Sequence, residues 1–164
     1  MKSFSEKVVW ITGASSGIGK ELAIQLANQN AKIILSARNT EQLNLLKASL
    51  KSPENHLVLP LDLSNQKNFQ ELTQEVLDQY GEIDYLFNSG GVSQRSEASE
   101  TSLDVDRKIM EINFFGNIAL TKAVLPQMQK QKNGHIIVTS SIAGKFGFYL
   151  RSAYSASKHA LHGF

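Results

Sequence analysis

The 164-residue sequence contains no cysteine, only three prolines and no long apolar segment. Without cysteine the chain can form neither a disulfide nor a thiolate metal site, which fits a reducing compartment. No apolar run approaches the length of a membrane span, and residues 1–7 lack the apolar core of a signal peptide. The net charge of +2 is too small to indicate a nucleic-acid-binding surface. These absences predict a soluble, cytoplasmic protein with neither a membrane nor a nucleic-acid partner.

The sequence instead alternates short apolar runs with longer amphipathic segments, and its length suits one domain. The apolar runs predict strands at about 7–12, 32–36, 57–61, 83–87 and 135–139. Helical spacing predicts helices at about 17–29, over the segment containing Leu43, Leu46 and Leu50, from a cap at Ser64 to Gly81, over 102–130 with a kink or early end at Pro126, and from about Arg151 onward.

Strands separated by helices over these lengths indicate parallel pairing with right-handed crossovers. The apolar runs show little alternation, which is typical of strands covered on both faces. We therefore predict an α/β fold: a doubly wound, Rossmann-like parallel sheet of at least five strands in three layers, as a single domain over residues 1–164. Ligands of such sheets bind at the carboxyl ends of the strands, near the switch in strand order.

A glycine-rich turn, Thr12-Gly13-Ala14-Ser15-Ser16-Gly17-Ile18-Gly19, connects the first predicted strand to the first helix. Gly13 can adopt backbone angles closed to other residues, Gly17 lets the main chain approach a pyrophosphate, and Gly19 lets the helix pack on its strand. The free N–H groups and the positive dipole end of the helix would then face an anion. The alternative is a tight turn without a ligand.

Arg38 and Asp62 follow the second and third predicted strands. In nucleotide-binding α/β units the first position lies near the adenosine ribose, where an arginine suits a 2′-phosphate and an acid suits a 2′-hydroxyl. Because no Asp or Glu lies between residues 31 and 40, the sequence favours NADP(H), with NAD(H) as the second option. The alternative for Arg38 is a solvated surface residue, and Asp62 could equally contact an adenine amino group or serve as a turn residue.

Further polar residues follow the fourth and fifth predicted strands. Asn88-Ser89-Gly90-Gly91 would let the backbone pass close to a flat ligand, although an ordinary turn is the alternative. Ser140 and Ser141 offer a hydroxyl that could donate to a carbonyl oxygen as it gains negative charge, or they simply cap a loop.

Tyr154 and Lys158 are four residues apart, so a helix would place both side chains on one face. An ammonium beside a phenol favours the phenolate and lowers the pKa of the phenol, so that a tyrosine could exchange a proton with a substrate oxygen. Pairs at this spacing are also common on solvated helix faces.

Two other kinds of chemistry find no support in the sequence. The four histidines, His56, His135, His159 and His162, lack metal-ligand partners at a suitable spacing, so we predict no metal site. No serine lies in a Gly-x-Ser-x-Gly elbow, which argues against a serine hydrolase.

Taken together, these motifs resemble the short-chain dehydrogenase/reductase family, and the resemblance covers essentially the whole chain. Residues 12–19 match its cofactor turn, Asp62 its adenine-contacting Asp, and Tyr154-x-x-x-Lys158 its active-site signature. Asn113 falls at its catalytic Asn, and Ser141, thirteen residues before Tyr154, at its catalytic Ser. Residues 88–91 depart at two positions from the family's Asn-Asn-Ala-Gly. Within the family, residues 93–96 and 101–105 are similar to the dehydrogenase/reductase member 7 group.

The resemblance implies an oxidoreductase that transfers hydride between NADP(H) and a carbonyl or secondary alcohol substrate. Tyr154 would act as acid or base, Lys158 would hold the nicotinamide ribose and tune Tyr154, Ser141 would polarise the carbonyl, and Asn113 would help hold a water linking Lys158 to solvent. The cofactor-binding residues that it implies are Gly13, Ser15, Ser16, Gly17, Ile18, Gly19, Arg38, Asp62, Leu63, Asn88, Gly90, Tyr154 and Lys158.

Chain length departs from the family pattern. Family members normally continue with a further strand-helix-strand unit and a substrate lid, so the resemblance implies that this chain is truncated at its C-terminus. It also implies a homo-oligomer for a full-length form. The alternative functions are a non-catalytic dinucleotide-binding module and an inactive fragment of a dehydrogenase.

Overall fold

The computed structural model describes residues 4–164 and contains a five-stranded parallel sheet. Its strands, in the order β3-β2-β1-β4-β5, are β1 (Val8–Thr12), β2 (Lys32–Ser36), β3 (Leu57–Val58), β4 (Tyr85–Asn88) and β5 (His135–Val138). The α-helices are α1 (Gly17–Asn28), α2 (Thr40–Ser49), α3 (Phe69–Tyr80), α4 (Leu103–Met110), α5 (Asn117–Gln131) and α6 (Ser152–Gly163).

Both faces of the sheet are buried because its central strands are apolar at successive positions. Along β1, Val8 and Trp10 belong to one core, and Val9 and Ile11 belong to the other. The first core takes side chains from α3 and α5, and the second takes side chains from α1 and α2. Two helical layers thus enclose the sheet, and the predicted doubly wound α/β fold is confirmed.

Strand order reverses at β1. The chain proceeds from β1 to β2 and β3 on one side and then crosses back to place β4 on the other side. The connections after β1 and β4 therefore leave in opposite directions, and a crevice opens between them at the carboxyl edge. Thr12 joins the two sides, because its Oγ1 accepts hydrogen bonds from the Ser89 and Gly90 amides at 3.1 and 3.0 Å.

The third strand is shorter than the predicted segment 57–61, because regular pairing stops at Val58. The chain nevertheless follows β2 further, since the Leu59 amide donates to the Leu35 carbonyl and the Leu61 amide to the Ala37 carbonyl. Pro60, which has no N–H group, lies exposed between them on the edge strand, where a proline is tolerated.

The predicted helix cap at Ser64 is wrong. Helix α3 begins five residues later, at Phe69, with Asn68 at its N-cap position. Ser64 instead donates both its amide, at 2.9 Å, and its hydroxyl, at 2.8 Å, to the Asp62 carboxylate. This local turn stabilises a non-helical conformation after the third strand.

The long helix predicted at 102–130 is divided into α4 and α5 by a π-helical turn, Glu111–Gly116. Ser102 caps α4 by accepting from the Val105 amide, and α5 continues past Pro126 to Gln131 rather than ending early. The π-helical turn approaches the segment after β3 closely: a β-carbon at Gly116 would lie 2.3 Å from the Leu63 carbonyl oxygen. Only glycine fits there, and Asn113 lies within the same turn.

Candidate active site

A cleft of about 430 Å³ lies at the carboxyl edge of the sheet, between the ends of β1 and β4. Its walls come from the glycine-rich turn, the segments after β2 and β3, and the turn after β4. Most of the predicted cofactor-binding residues line this cleft, namely Gly13, Ser15, Ser16, Gly17, Ile18, Gly19, Arg38, Asp62, Leu63 and Gly90.

The glycine-rich turn has the backbone geometry that an anion site needs. Gly13 has a φ of +68°, and a β-carbon there would lie 2.9 Å from the Gly90 main chain, so no larger residue fits. Gly17 has a φ of +52°, and no described atom lies within 4 Å of the position where its β-carbon would be. Helix α1 starts without a side-chain cap from Ser16 and without an acid in its first turn. Its first N–H groups and positive dipole end are therefore available to an anion in the cleft.

Arg38 and Asp62 lie on the walls that follow β2 and β3. Arg38 is exposed, which is compatible both with a contact to a 2′-phosphate and with a solvated surface residue. Asp62 forms a turn with Ser64, whose backbone and side-chain hydrogen bonds lower the pKa of the Asp62 carboxyl. Both bonds use Oδ1, so Asp62 combines the turn role with a place on the cleft wall.

Asn88 differs from the other predicted cofactor-binding residues after the strands, because its side chain is buried away from the cleft. It is 2% exposed, and its Nδ2 donates to the Thr121 hydroxyl of α5 at 2.9 Å. The Asn88 carbonyl accepts from the Thr139 amide at 3.0 Å, in continuation of the β4–β5 ladder. Asn88 therefore ties β4 to its neighbours, and Gly90 and Gly91 form the cleft wall at this point.

Asn113 is fully buried and holds the loop after β4. Its Oδ1 accepts from the Val92 amide at 2.8 Å, and its Nδ2 donates to the Val92 carbonyl at 2.8 Å. The same Nδ2 lies 3.1 Å from the Ser157 hydroxyl of α6. The π-helical turn thus connects the loop after β4 to the helix that carries Tyr154 and Lys158. Single π-helical turns within α-helices are frequent at functional sites.

Lys158 is buried, with 6% of its surface exposed, and its Nζ donates to the Thr139 carbonyl at 2.8 Å. Burial lowers the pKa of Lys158, because desolvation disfavours the ammonium. Its Nζ lies 5.7 Å from the centroid of the Tyr154 ring. A β-carbon at Gly91 would lie 4.0 Å from this Nζ and 3.0 Å from Asn113 Oδ1. Gly91 therefore joins the cleft wall to both groups, although neither Lys158 nor Asn113 lines the cleft itself.

Tyr154 and Ser141 share a second cavity, of about 350 Å³, which is also lined by Ser93, Ile142, Ala143, Phe148 and Arg151. The Ser141 hydroxyl accepts from the Ala143 amide at 3.1 Å, which leaves its own hydrogen able to donate. Ser140 is instead paired with His162, at 2.9 Å. Of the two serines that the sequence left open, Ser141 is the one beside Tyr154.

Several residues of the site gave no recognisable signal in the sequence. Thr139 holds Lys158 through its main-chain carbonyl, which any residue could provide. Gln94 and Arg151 connect the loop after β4 to the start of α6, through contacts that span more than fifty residues of sequence. Their only signal was their polarity in two otherwise unremarkable loops.

Two kinds of site are missing from the described part of the chain. Within residues 4–164, no group of three or more His, Asp or Glu side chains is arranged to hold a metal ion. In the same range, no helix is both long enough and apolar enough to cross a bilayer.

Comparison with known proteins gives consistent matches. A family model described as short chain dehydrogenase matches residues 7–164. The chain is 47% identical over 166 residues to human "Dehydrogenase/reductase SDR family member 7", covering 98% of this chain and 49% of that protein. It is 45% identical over 163 residues to "Dehydrogenase/reductase SDR family protein 7-like" of Drosophila melanogaster, covering 96% and 50%. The chain spans about half the length of the curated relatives it matches.

Solved structures agree with the sequence matches. A short-chain dehydrogenase from Streptomyces avermitilis superposes with a TM-score of 0.91 at 36% identity, over 99% of this chain and 59% of that chain. Levodione reductase superposes with a TM-score of 0.93 at 29% identity, over 98% and 64%.

Proposed function

The chain belongs to the short-chain dehydrogenase family, and we propose that it forms the cofactor cleft and proton-transfer site of an oxidoreductase. The proposed reaction moves a hydride between NADP(H) and a carbonyl or secondary alcohol substrate. The observation that supports it most is the position of Gly91, which lines the cleft and also lies beside the buried Lys158 ammonium. A ligand that fills the cleft to this end reaches the neighbourhood of Tyr154.

The chemistry of the cleft suits a nicotinamide dinucleotide. Open space at Gly17 and the uncapped start of α1 suit a diphosphate, because main-chain N–H groups can approach it closely. The volume of about 430 Å³ falls within the range of small-molecule sites. Arg38, Asp62 and Leu63 would hold the adenosine half, and Gly90, Tyr154 and Lys158 the nicotinamide half.

Arg38 supports the preference for NADP(H) over NAD(H). It is exposed on the wall where β2 ends, and residues 31–40 contain no acid that would repel a phosphate. A guanidinium can bind a 2′-phosphate through paired, charge-assisted hydrogen bonds. NAD(H) would lose this contact but could still occupy the rest of the cleft.

The bound cofactor supplies or accepts the hydride, and the chain's own residues handle the proton and the oxygen. Tyr154 donates its proton to the substrate oxygen during reduction and takes it back during oxidation. The Lys158 ammonium stabilises the phenolate that Tyr154 becomes. Ser141 donates its hydroxyl hydrogen to the same oxygen, which polarises the carbonyl. Asn113 fixes the loop at Val92 and helps hold a water that links Lys158 to solvent.

The second cavity would hold the substrate. Ile142, Ala143 and Phe148 give it apolar walls, and the two hydroxyl-bearing residues Ser141 and Tyr154 also line it. A carbonyl compound with an apolar body would fill this space with its oxygen between the two hydroxyls.

Steady-state assays with panels of ketones and secondary alcohols test the proposal, using NADPH and NADP⁺. We expect Tyr154→Phe to lower kcat about 100-fold or more, because the proton donor is lost while the ring remains. Tyr149→Phe, at a neighbouring exposed tyrosine, is the matched control and should leave the rate unchanged. A Tyr154→Phe enzyme with normal turnover would contradict the mechanism.

A second candidate is a dinucleotide-binding module without catalysis, and one observation favours it: neither Tyr154 nor Lys158 is among the residues that line the cleft. The two candidates separate when calorimetric titration with NADPH and an activity assay are run on the same sample. Saturable binding without turnover favours the module, whereas turnover rejects it. If neither NADPH nor NADH binds at millimolar concentration, the result points to an inactive fragment.

A further inference from the structure

Gln94 lies between the loop after β4 and the first turn of α6, and its side chain is about nine-tenths buried. Its Oε1 accepts from the Tyr154 backbone amide at 3.2 Å, and its Nε2 donates to the Ser152 hydroxyl at 3.2 Å. Both hydrogen bonds are made to α6 within its first three residues. Nothing in the proposed chemistry requires the side-chain amide of Gln94.

Helix α6 needs such a partner because it has no cap of its own. Arg151 occupies the N-cap position, but its side chain makes no capping hydrogen bond. The amides of residues 152–154 precede the first intrahelical bond, in which the Ser155 amide donates to the Arg151 carbonyl at 2.7 Å. Gln94 supplies the missing acceptor from a distant loop, at the residue that bears the phenol.

Gln94 is itself held from two sides. The Arg151 guanidinium donates to the Gln94 carbonyl and, at 2.7 Å, to the Ser93 hydroxyl. Two residues earlier, Val92 is fixed by its paired hydrogen bonds with Asn113, donating its amide to Oδ1 and accepting from Nδ2 at its carbonyl. The main chain that carries the Gln94 side chain is therefore held by both Arg151 and Asn113, as a group that positions another requires.

We propose that Gln94 is a positioning residue: by capping α6 at the Tyr154 amide, it fixes the phenol relative to Lys158 and Ser141. This inference rests on the proposed function, because it assigns Gln94 a part in setting the rate of hydride transfer. Displacing a reacting group by about 1 Å can lower a rate about 100-fold.

The test compares Gln94→Met, which keeps the length of the side chain but removes the amide, with Gln94→Glu, which keeps an acceptor for the Tyr154 amide. Tyr149→Phe is the control, because it breaks another hydrogen bond of the same junction, from Tyr149 to Glu97 at 2.5 Å, without touching α6. Three quantities are measured: kcat, the NADPH dissociation constant, and amide hydrogen exchange at Tyr154.

We expect Gln94→Met to lower kcat about 10- to 100-fold and to speed exchange of the Tyr154 amide about 10-fold, with NADPH affinity within about threefold of wild type. Gln94→Glu and Tyr149→Phe should stay within about threefold in both kcat and exchange. The pairing of slower turnover with faster exchange, and its rescue by glutamate, separates positioning from a general loss of stability.

Other outcomes are equally decisive. If Gln94→Met behaves like Tyr149→Phe, or if only one of kcat and exchange changes, the positioning role is refuted. If the wild-type protein transfers no hydride, the proposed function fails, and exchange alone then decides whether Gln94 caps α6 at Tyr154: faster exchange in Gln94→Met upholds the cap, and unchanged exchange refutes it.

Discussion

Asp84 is the most strongly buried charge at the amino edge of the sheet, and its removal should destabilise the fold substantially. Its Oδ1 pairs with Lys7 Nζ at 2.7 Å and accepts from Asn133 Nδ2 at 3.3 Å, while its Oδ2 accepts from the Val8 amide at 2.9 Å. The Asp84 side chain is 1% exposed, whereas that of Lys7 is 36% exposed. One carboxylate therefore joins β1, the start of β4 and the loop before β5.

Asp84→Ala should lower the free energy of unfolding by about 2–4 kcal/mol. Breaking a buried ion pair costs about 3–5 kcal/mol, and the accessible Lys7 ammonium reduces this because it can regain water. The buried Val8 amide cannot regain water, and an unsatisfied buried donor alone costs about 1–3 kcal/mol. At about 2–4 °C per kcal/mol for a chain of this size, Tm should fall by about 4–16 °C.

The matched control is Asp104→Ala, which breaks the pair between Arg107 and Asp104, two side chains that are 70% and 91% exposed. An exposed pair contributes about 0–1 kcal/mol. Urea denaturation at pH 7, followed by circular dichroism, measures both variants. Equal losses of stability in the two variants would refute the claim that the buried Asp84 carboxylate stabilises the fold more than an exposed ion pair does.

The same ion pair predicts a change at alkaline pH. The hydrogen bond to Asp84 raises the pKa of Lys7 above its ordinary value of 10.5. Stability from this pair is therefore fully present below pH 10.5 and is lost as the pH rises through the higher folded-state value. Wild-type protein should lose stability in that range more steeply than Asp84→Ala, as urea midpoints at pH 9 to 11 would report.

Three further predictions follow from the cleft and from a buried histidine. Arg38→Asp should weaken NADPH binding about 10-fold more than NADH binding in calorimetric titrations, because only NADPH carries the 2′-phosphate; equal losses would count against that contact. Gly13→Ala should abolish saturable NADPH binding and lower stability by about 2 kcal/mol or more, since a β-carbon is strained at its positive φ, whereas Gly147→Ala, which has open space around it, should do neither. Burial lowers the pKa of His56, so its contribution to stability is present above about pH 6.5 and is lost as the pH falls through the folded-state value. The urea midpoint of the wild-type protein should fall between pH 7 and pH 5. It should fall less in His56→Gln and as much as in wild type in His159→Gln. A His56→Gln midpoint that falls with pH as steeply as the wild-type midpoint would contradict this role of His56.

His56 also illustrates how a buried polar residue is accommodated. Its Nδ1 accepts from the Ile33 amide at 3.1 Å, and its Nε2 is 2.9 Å from the Lys51 carbonyl. These partners require the neutral ring with its proton on Nε2, because an N–H group faces Nδ1. In a protonated His56, the hydrogen on Nδ1 would face the Ile33 N–H, so that two donors would oppose each other.

The fold was predictable because the signals that carry it are local. The apolar strands and the glycine-rich turn depend on the chemistry of consecutive residues, and each strand overlaps its predicted segment, although β3 ends at Val58 rather than at residue 61. The errors occurred where distant or competing contacts decide. Serine is a residue type favoured at helix N-caps, but the hydrogen bonds from Ser64 to Asp62, two residues earlier, stabilise a turn instead.

The candidate site divides in the same way. Tyr154 and Lys158 follow from helical spacing, whereas Lys158 Nζ is held by the Thr139 carbonyl, which no motif marks. Gln94 and Arg151 meet only because the loop after β4 folds over the start of α6. Such contacts are set by tertiary packing, and a single sequence gives no pattern for them.

The central claim is that one dinucleotide lies along the carboxyl edge of the sheet from the glycine-rich turn to Tyr154. A crystal structure of the protein grown with NADPH tests it most directly. We expect the diphosphate on the N–H groups at the start of α1, the 2′-phosphate at Arg38, and the nicotinamide ribose within hydrogen-bond distance of Lys158 Nζ. A nucleotide bound elsewhere, or one whose nicotinamide lies away from Tyr154 and Lys158, would contradict the account.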